Sequence, residues 1–275
     1  MKDVTGPDGL HVVSMGEGPR EVLAVHCTLA QSGAWKGVAR GLSGQARVTA
    51  FDLPGHGRSA DWDGQGDLPD AVARMGCALL DTALGTAPRI DLVGHSFGAI
   101  VALRMAQLAG ARIRTLTLIE PVLMCAARGT AALADIDARA LPMEDMMARG
   151  DLAGAARHFN AMWSDARAPA WTDLSPAARA GMIRAIPLVP ACNAALYHDS
   201  LGFLAPGGLD ALACPVQLIR GSATDPVIGE INDQLAARLP GAENKIIAGA
   251  GHMVPITHSS QTAAELSAFF ARHPA

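Results

Sequence analysis

The stretch Ile90-Asp91-Leu92-Val93-Gly94-His95-Ser96-Phe97-Gly98-Ala99-Ile100 constrains this chain more than any other. A short apolar run with β-branched residues leads straight into Gly94-His95-Ser96-Phe97-Gly98, and Ala99 to Met105 then reads as helix. The pattern is a strand, a turn too tight for side chains and a helix, with one serine at the corner. Such a turn holds the serine in a strained conformation with its oxygen exposed. The N–H of the next residue lies at a helix N-terminus, where it can stabilise an oxyanion. Glycine fits at 94 and 98 because a Cβ at either place would meet the neighbouring strand or helix.

The rest of the chain supplies a frame for that corner. Strand-like runs at Leu10–Met15, Glu21–Val25, Arg47–Phe51 and Ile113–Ile119 alternate with helical patterns from about Trp35 to Leu42, 68 to 84 and Ala99 to Leu108. Alternation of this kind predicts an α/β fold: a mostly parallel central sheet covered by helices on both faces. Ligands bind such sheets at the C-terminal strand ends. Thr28, the loop from Asp52, Ser96 and Glu120 all fall at those ends.

Past Pro121 the alternation stops. Residues 122–205 contain no strand-like run and read as short helices at about Ala131–Leu141, Met143–Arg149, Leu152–Trp163 and Pro176–Ile186. Asp151 is a candidate N-cap, and Ser175 precedes Pro176 in a first helical position. The sheet pattern resumes with Pro215–Gly221, a helix from Ile228 to Leu239, a strand at Asn244–Ile247 and a last helix from Thr262. The expected organisation is therefore a core of residues 1–121 and 206–275 carrying an inserted helical cap, 122–205.

Composition narrows the function classes. The 275 residues are 50% hydrophobic and 17% charged, which suits one large buried core. A net charge of −4 gives no basic footprint for nucleic acid. No apolar run approaches the roughly 20 residues that span a bilayer, and the first residues lack the apolar core of a signal peptide. Five scattered cysteines without a C-x-x-C pair fit reduced thiols and a cytoplasmic location. No H-E-x-x-H, G-x-G-x-x-G or G-x-x-x-x-G-K-S/T arrangement is present, so neither a metal nor a cofactor is expected. The expected partner is a small-molecule substrate, without nucleic acid or membrane and with room for a homo-oligomer.

A serine hydroxyl is a weak nucleophile at neutral pH and needs a base, which in turn needs an orienting acid. Of nine histidines, His252 alone follows a late strand, sits in a glycine-rich loop and precedes the final helix, and it is the candidate base. Asp225, just past a strand and before a helix, is the favoured acid because the chain order Ser…Asp…His then holds. Glu120 is the rival carboxylate, with lining the pocket as its alternative role. The oxyanion needs two backbone donors: Phe97 N–H is one. The loop after Val25 should give the other, from Thr28 or its neighbour Leu29. Leu29, Glu120, Met143 and Trp163 are the candidate substrate contacts, since methionine-rich surfaces adapt to varied apolar ligands.

Four segments together resemble the α/β-hydrolase superfamily along nearly the full length. They are Gly94–Gly98, Asp52-Leu53-Pro54-Gly55-His56-Gly57-Arg58-Ser59, Gly221–Asp225 and Gly251-His252-Met253-Val254-Pro255. The resemblance implies Ser96, Asp225 and His252 as a catalytic triad with a helical lid over it, and a serine hydrolase acting on an ester or related acyl bond. Serine at 96 speaks against members with an aspartate nucleophile. One departure stands out: the family usually has His-Gly in the oxyanion loop, and this chain has His26-Cys27. C–C bond hydrolysis, lactone opening and thioester hydrolysis use the same triad. A non-catalytic ligand receptor on this fold is the alternative of a different class.

Overall fold

The computed structural model describes residues 2–7, 9–82, 84, 87–165, 167–239 and 241–274. Its strands are β1 (Lys2–Thr5), β2 (His11–Met15), β3 (Arg20–Val25), β4 (Ala46–Phe51), β5 (Ile90–His95), β6 (Ile113–Ile119), β7 (Val216–Gly221) and β8 (Glu243–Ile247). They form one sheet in the order β1-β2-β4-β3-β5-β6-β7-β8. The pairs β1–β2 and β2–β4 are antiparallel and every other pair is parallel. The expected mostly parallel sheet is present, with an antiparallel edge at β1, which carries no clear sequence signal.

Before the insertion the helices are α1 (Lys36–Gly41), α2 (Leu68–Asp81) and α3 (Phe97–Ala109). Those between β6 and β7 are α4 (Ala131–Ala148), α5 (Leu152–Trp163), α6 (Pro176–Ala185) and α7 (Asn193–His198). After them come α8 (Pro226–Arg238), α9 (Val254–Thr257) and α10 (Ser259–Arg272). Among the described residues, no helix is long and apolar enough to cross a membrane.

Side-chain alternation along the strands divides the core into two layers. Leu23, Val25, Leu92, Leu116 and Leu118 face the cluster shared with α2, α3 and α8. Val22, Ala24, Val93, Ile119 and Ile219 face the one shared with α1 and α10. Because both faces are covered, these strands read as continuous apolar runs. Each fully buried leucine or isoleucine among them stabilises the fold by roughly 1.5–3 kcal/mol relative to exposure.

Three of the helices between β6 and β7 begin where the sequence places them, and α7 lies beyond the four expected. Asp151 accepts from Gly154 N at the start of α5, and Ser175 accepts from Ala178 N at the start of α6. One boundary differs: the two helices expected on either side of Pro142 are a single helix, α4. A proline removes one backbone donor and crowds the preceding turn, a cost of about 3 kcal/mol that usually ends a helix. Here α4 continues through it and packs along α5 and α8.

The parallel strands β3, β5, β6 and β7 all end on one rim. Their exits carry residues 26–29, Ser96, Glu120 and Ser222–Asp225. Strand β5 lies between β3 and β6, so the chain crosses from one half of the sheet to the other beside Ser96. Crevices at such switch points are where open α/β sheets bind ligands.

Candidate active site

Ser96 sits between β5 and α3 with φ 56° and ψ −121°, a conformation that L-residues rarely adopt. Its N–H is tied to Ile119 O at 2.8 Å, which continues the sheet ladder into the turn. The flanking glycines permit the turn. A Cβ on Gly94 would stand 2.2 Å from Gly98 O, and one on Gly98 would stand 2.4 Å from both Val25 O and His26 O. The helix behind the serine thus presses directly against the loop after β3, and no side chain fits between them.

His252 lies 6% exposed in the loop after β8, and its Nε2 is 2.9 Å from Ser96 Oγ. Its Nδ1 is 2.9 Å from Oε2 of Glu120, which is fully buried. With Nδ1–H donated to the carboxylate, Nε2 is free to accept the serine proton. Glu120 is anchored as well as paired: Oε1 accepts Gly221 N–H at 2.6 Å, and Oε2 also accepts the Thr224 hydroxyl. The carboxylate reaches this place because Glu120 leaves β6 with φ 51°, next to the end of β7.

Asp225 is elsewhere, contrary to the sequence expectation. It is the N-cap of α8, accepting from Val227 N at 3.1 Å, and its other oxygen pairs with Arg139 of α4. Capping and the guanidinium hold the shorter carboxylate away from His252. Of the two carboxylates weighed from the sequence, the structure brings Glu120 onto the imidazole.

Two further side chains touch His252, and their contacts were not foreseen. His95, within the serine turn, donates Nε2–H to the backbone carbonyl of His252 at 2.8 Å. Trp163, at the end of α5, packs against the His252 ring with centroids 4.4 Å apart and the planes tilted by 42°. Burial pushes His95 down to about 3, and the neighbouring His252 adds to the shift, so it stays neutral and can hold this bond over the ordinary pH range.

The loop after β3 is held by a reciprocal pair of histidines. His26 donates Nδ1–H to Cys27 O at 2.7 Å and accepts Leu53 N–H on Nε2 at 2.9 Å. His56, from the loop after β4, donates Nδ1–H to Pro54 O at 2.9 Å and accepts Leu29 N–H on Nε2 at 3.1 Å. Burial lowers both, His26 to about 3 and His56 to about 4, which keeps each Nε2 lone pair available. Burial likewise pushes the Cys27 thiol up, so the residue in the usual glycine place is an inert one.

This bonding separates the two candidate oxyanion donors. Leu29 N–H is already used, whereas among the described residues neither Thr28 N–H nor Phe97 N–H has a protein partner. Thr28, Ser96 and Phe97 line one cavity of about 670 Å³. Met143 and Trp163, two of the residues expected as substrate contacts, also line it. Leu29 and Glu120, expected in the same role, do not: Glu120 is beneath His252, and Leu29 is buried among the inserted helices. Among the described residues, the acidic side chains on the cavity wall are Asp137 and Glu144, both on α4 and both exposed, and no lysine or arginine lines it; His198 is also on the wall. Among the described residues, no group of three metal-ligating side chains comes together.

Comparison with known proteins agrees with this architecture. A model of the alpha/beta hydrolase family matches residues 22–265. The pimeloyl-[acyl-carrier protein] methyl ester esterase of Methylococcus capsulatus is 31% identical over 96% of this chain and 99% of its own length. Lipase LipV of Mycobacterium tuberculosis is 29% identical over 93% of this chain and 95% of its own. A thermophilic esterase from Thermogutta terrifontis superposes with a TM-score of 0.73 over 100% of both chains, at 23% identity, a likeness of fold. The chain belongs to the α/β-hydrolase family.

Proposed function

We propose that this enzyme is a serine hydrolase that cleaves the ester bond of a small, uncharged and largely apolar substrate through an acyl-enzyme. The observation that carries the reading is the continuous hydrogen-bonded chain Ser96–His252–Glu120 beside an apolar cavity. Nε2 of His252 takes the Ser96 proton as Oγ attacks the ester carbonyl carbon. The oxyanion that forms is met by Phe97 N–H and Thr28 N–H; one such donor typically contributes about 100- to 1000-fold in rate. As the tetrahedral intermediate collapses, the imidazolium returns its proton to the leaving alkoxide and the acyl group stays on Ser96. Water, deprotonated by the same imidazole, then releases the acid. Glu120 fixes the tautomer of His252 and stabilises its positive charge, the part the chain order had assigned to Asp225.

The relatives support ester bonds in particular, since one is named for a methyl ester and another as a lipase. The substrate's polarity is argued from the cavity. Met124, Met143, Met147 and Met162 give it an adaptable apolar wall, and among the described residues no lysine or arginine lines it. On this reading residues 122–205 serve as a lid, because α4, α5 and α7 supply most of that wall.

A fluorophosphonate probe together with p-nitrophenyl butyrate tests the proposal. Wild type should be labelled and should turn the ester over, while Ser96→Ala should do neither. Equal labelling of the two would overturn the assignment, and labelling without turnover would favour a ligand receptor.

A further inference from the structure

Leu29 combines three properties that have no shared explanation in the hydrolytic scheme. It is a leucine with φ 62°, a left-handed conformation that is strained for a residue with a Cβ. Its N–H is fixed on His56 Nε2, directly after Thr28, a residue of the cavity wall whose own N–H has no protein partner among the described residues. Its side chain, 8% exposed, belongs to a hydrophobic cluster whose other buried members all come from the inserted helices. Those members are Met143 of α4, Ala155 and Ala156 of α5, Ala185 of α6 and the adjoining Ile186. A glycine would adopt the same backbone without strain. What leucine adds is contact between the oxyanion loop and the interior of the insertion.

We propose that Leu29 is a positioning residue that makes the Thr28 oxyanion donor depend on the seating of helices α4–α6. The Leu29 end of the peptide joining it to Thr28 is held twice, by its N–H on His56 and by the packing of this side chain. A shift of the inserted helices therefore turns the peptide preceding it, and the Thr28 N–H moves out of line. The inference rests on the reading that Thr28 N–H stabilises the oxyanion at Ser96. It adds to that reading that residues away from the reacting atoms set how well the donor is aimed. Oxyanion stabilisation is a transition-state interaction, so its loss lowers kcat and leaves KM little changed.

The test is a double-mutant cycle of Leu29→Ala with Ile186→Ala, with Leu29→Met and Leu29→Gly alongside, read as kcat and KM for p-nitrophenyl butyrate. Ile186 is outside the cavity wall, so a purely structural role would lower its melting temperature and leave kcat of the folded enzyme alone. Each alanine variant should lose about 10-fold or more in kcat with KM within about 3-fold, and the double variant should lose little more than either single. Leu29→Met should restore kcat to within about 3-fold of wild type. Leu29→Gly should keep the low kcat of the alanine variant while melting at a higher temperature than it, because the strain is gone. Additive losses, a loss confined to KM, or wild-type kcat in Leu29→Gly and Ile186→Ala would each overturn the proposal. If Leu29→Ala fails to fold, Ile186→Ala and Leu29→Met decide it. Turnover by Ser96→Ala would instead overturn the hydrolytic reading itself, so the two failures are distinguishable.

Discussion

Oε2 of Glu120 and Nδ1 of His252 lie 2.9 Å apart, and the carboxylate that makes this bond is among the most buried in the molecule. It comes from the end of β6, whereas the exit of β7 offers Asp225, which caps α8 and pairs with Arg139. A strand-end acid therefore has a neighbour at the adjacent strand end that looks equivalent in sequence and makes entirely different bonds.

The two carboxylates should separate sharply on substitution. Glu120→Gln keeps the size but offers His252 an amide, which disturbs the tautomer, and kcat should fall by about 10⁴-fold, as for other triad acids. Asp225→Asn keeps an N-cap of nearly equal strength and should leave kcat within a few-fold. Steady-state kinetics of both variants, with melting temperatures to confirm folding, check this. Comparable losses in the two would assign the acid to neither alone.

Trp163 packs tilted against the His252 ring, with centroids 4.4 Å apart, and under the proposed mechanism that ring becomes a cation during turnover. A cation near an indole face gains about 0.5–2 kcal/mol, so Trp163→Leu should lower kcat by roughly 2- to 30-fold. Trp163→Phe, which keeps an aromatic face, should lose less. If the leucine and phenylalanine variants fall equally, the indole matters as cavity wall and not for its charge affinity.

The parts of the fold that repeat a local rule were legible in the chain. Strands buried on both faces are apolar throughout, Asp151 and Ser175 cap their helices, and the Gly94–Gly98 turn admits no Cβ. Ser96 and His252 were legible because each sits in a backbone setting that a merely structural residue does not need. The carboxylate partner of His252 was not, since Glu120 and Asp225 both follow strands, and only the direction of each side chain decides between them. The contacts of Trp163 and His95 with His252 escaped for the same reason: they cross 89 and 157 residues of sequence. The continuity of α4 through Pro142 depends on tertiary packing that outweighs a helix breaker.

Three buried histidines predict how stability responds to acid. Burial lowers His26 and His95 to about 3 and His56 to about 4 from an ordinary value of 6.5. Below pH 6.5 the unfolded chain binds protons that the native one refuses, so stability falls with falling pH. That loss continues until the native values near 4 and 3 are reached, and above pH 6.5 it vanishes. Each histidine contributes a slope on the order of 1 kcal/mol per pH unit inside that window. Urea unfolding at pH 7.5, 6.5, 5.5 and 4.5 should show little change over the first step and steep losses over the next two. His56→Gln should reduce the slope, and a flat profile would mean that these rings carry charge in the folded protein.

Among the described residues the cavity wall carries Asp137 and Glu144 and no lysine or arginine, and Tyr197 directs its hydroxyl onto Asp137 at 3.1 Å. A substrate with a carboxylate at its far end would bring that charge toward two fixed negative ones on α4. Both acids are exposed, so the penalty is modest: on the order of 1 kcal/mol at low salt, or about 5-fold in kcat/KM. Chain-matched methyl esters ending in a methyl group, a trimethylammonium or a carboxylate provide the comparison, and the carboxylate should be the poorest substrate. Glu144→Gln should narrow its deficit, and raising the salt concentration should do so in the wild type. A carboxylate ester that matched or exceeded the neutral one would mean that its charged end lies outside this mouth. The acyl chain would then run along another wall of the cavity.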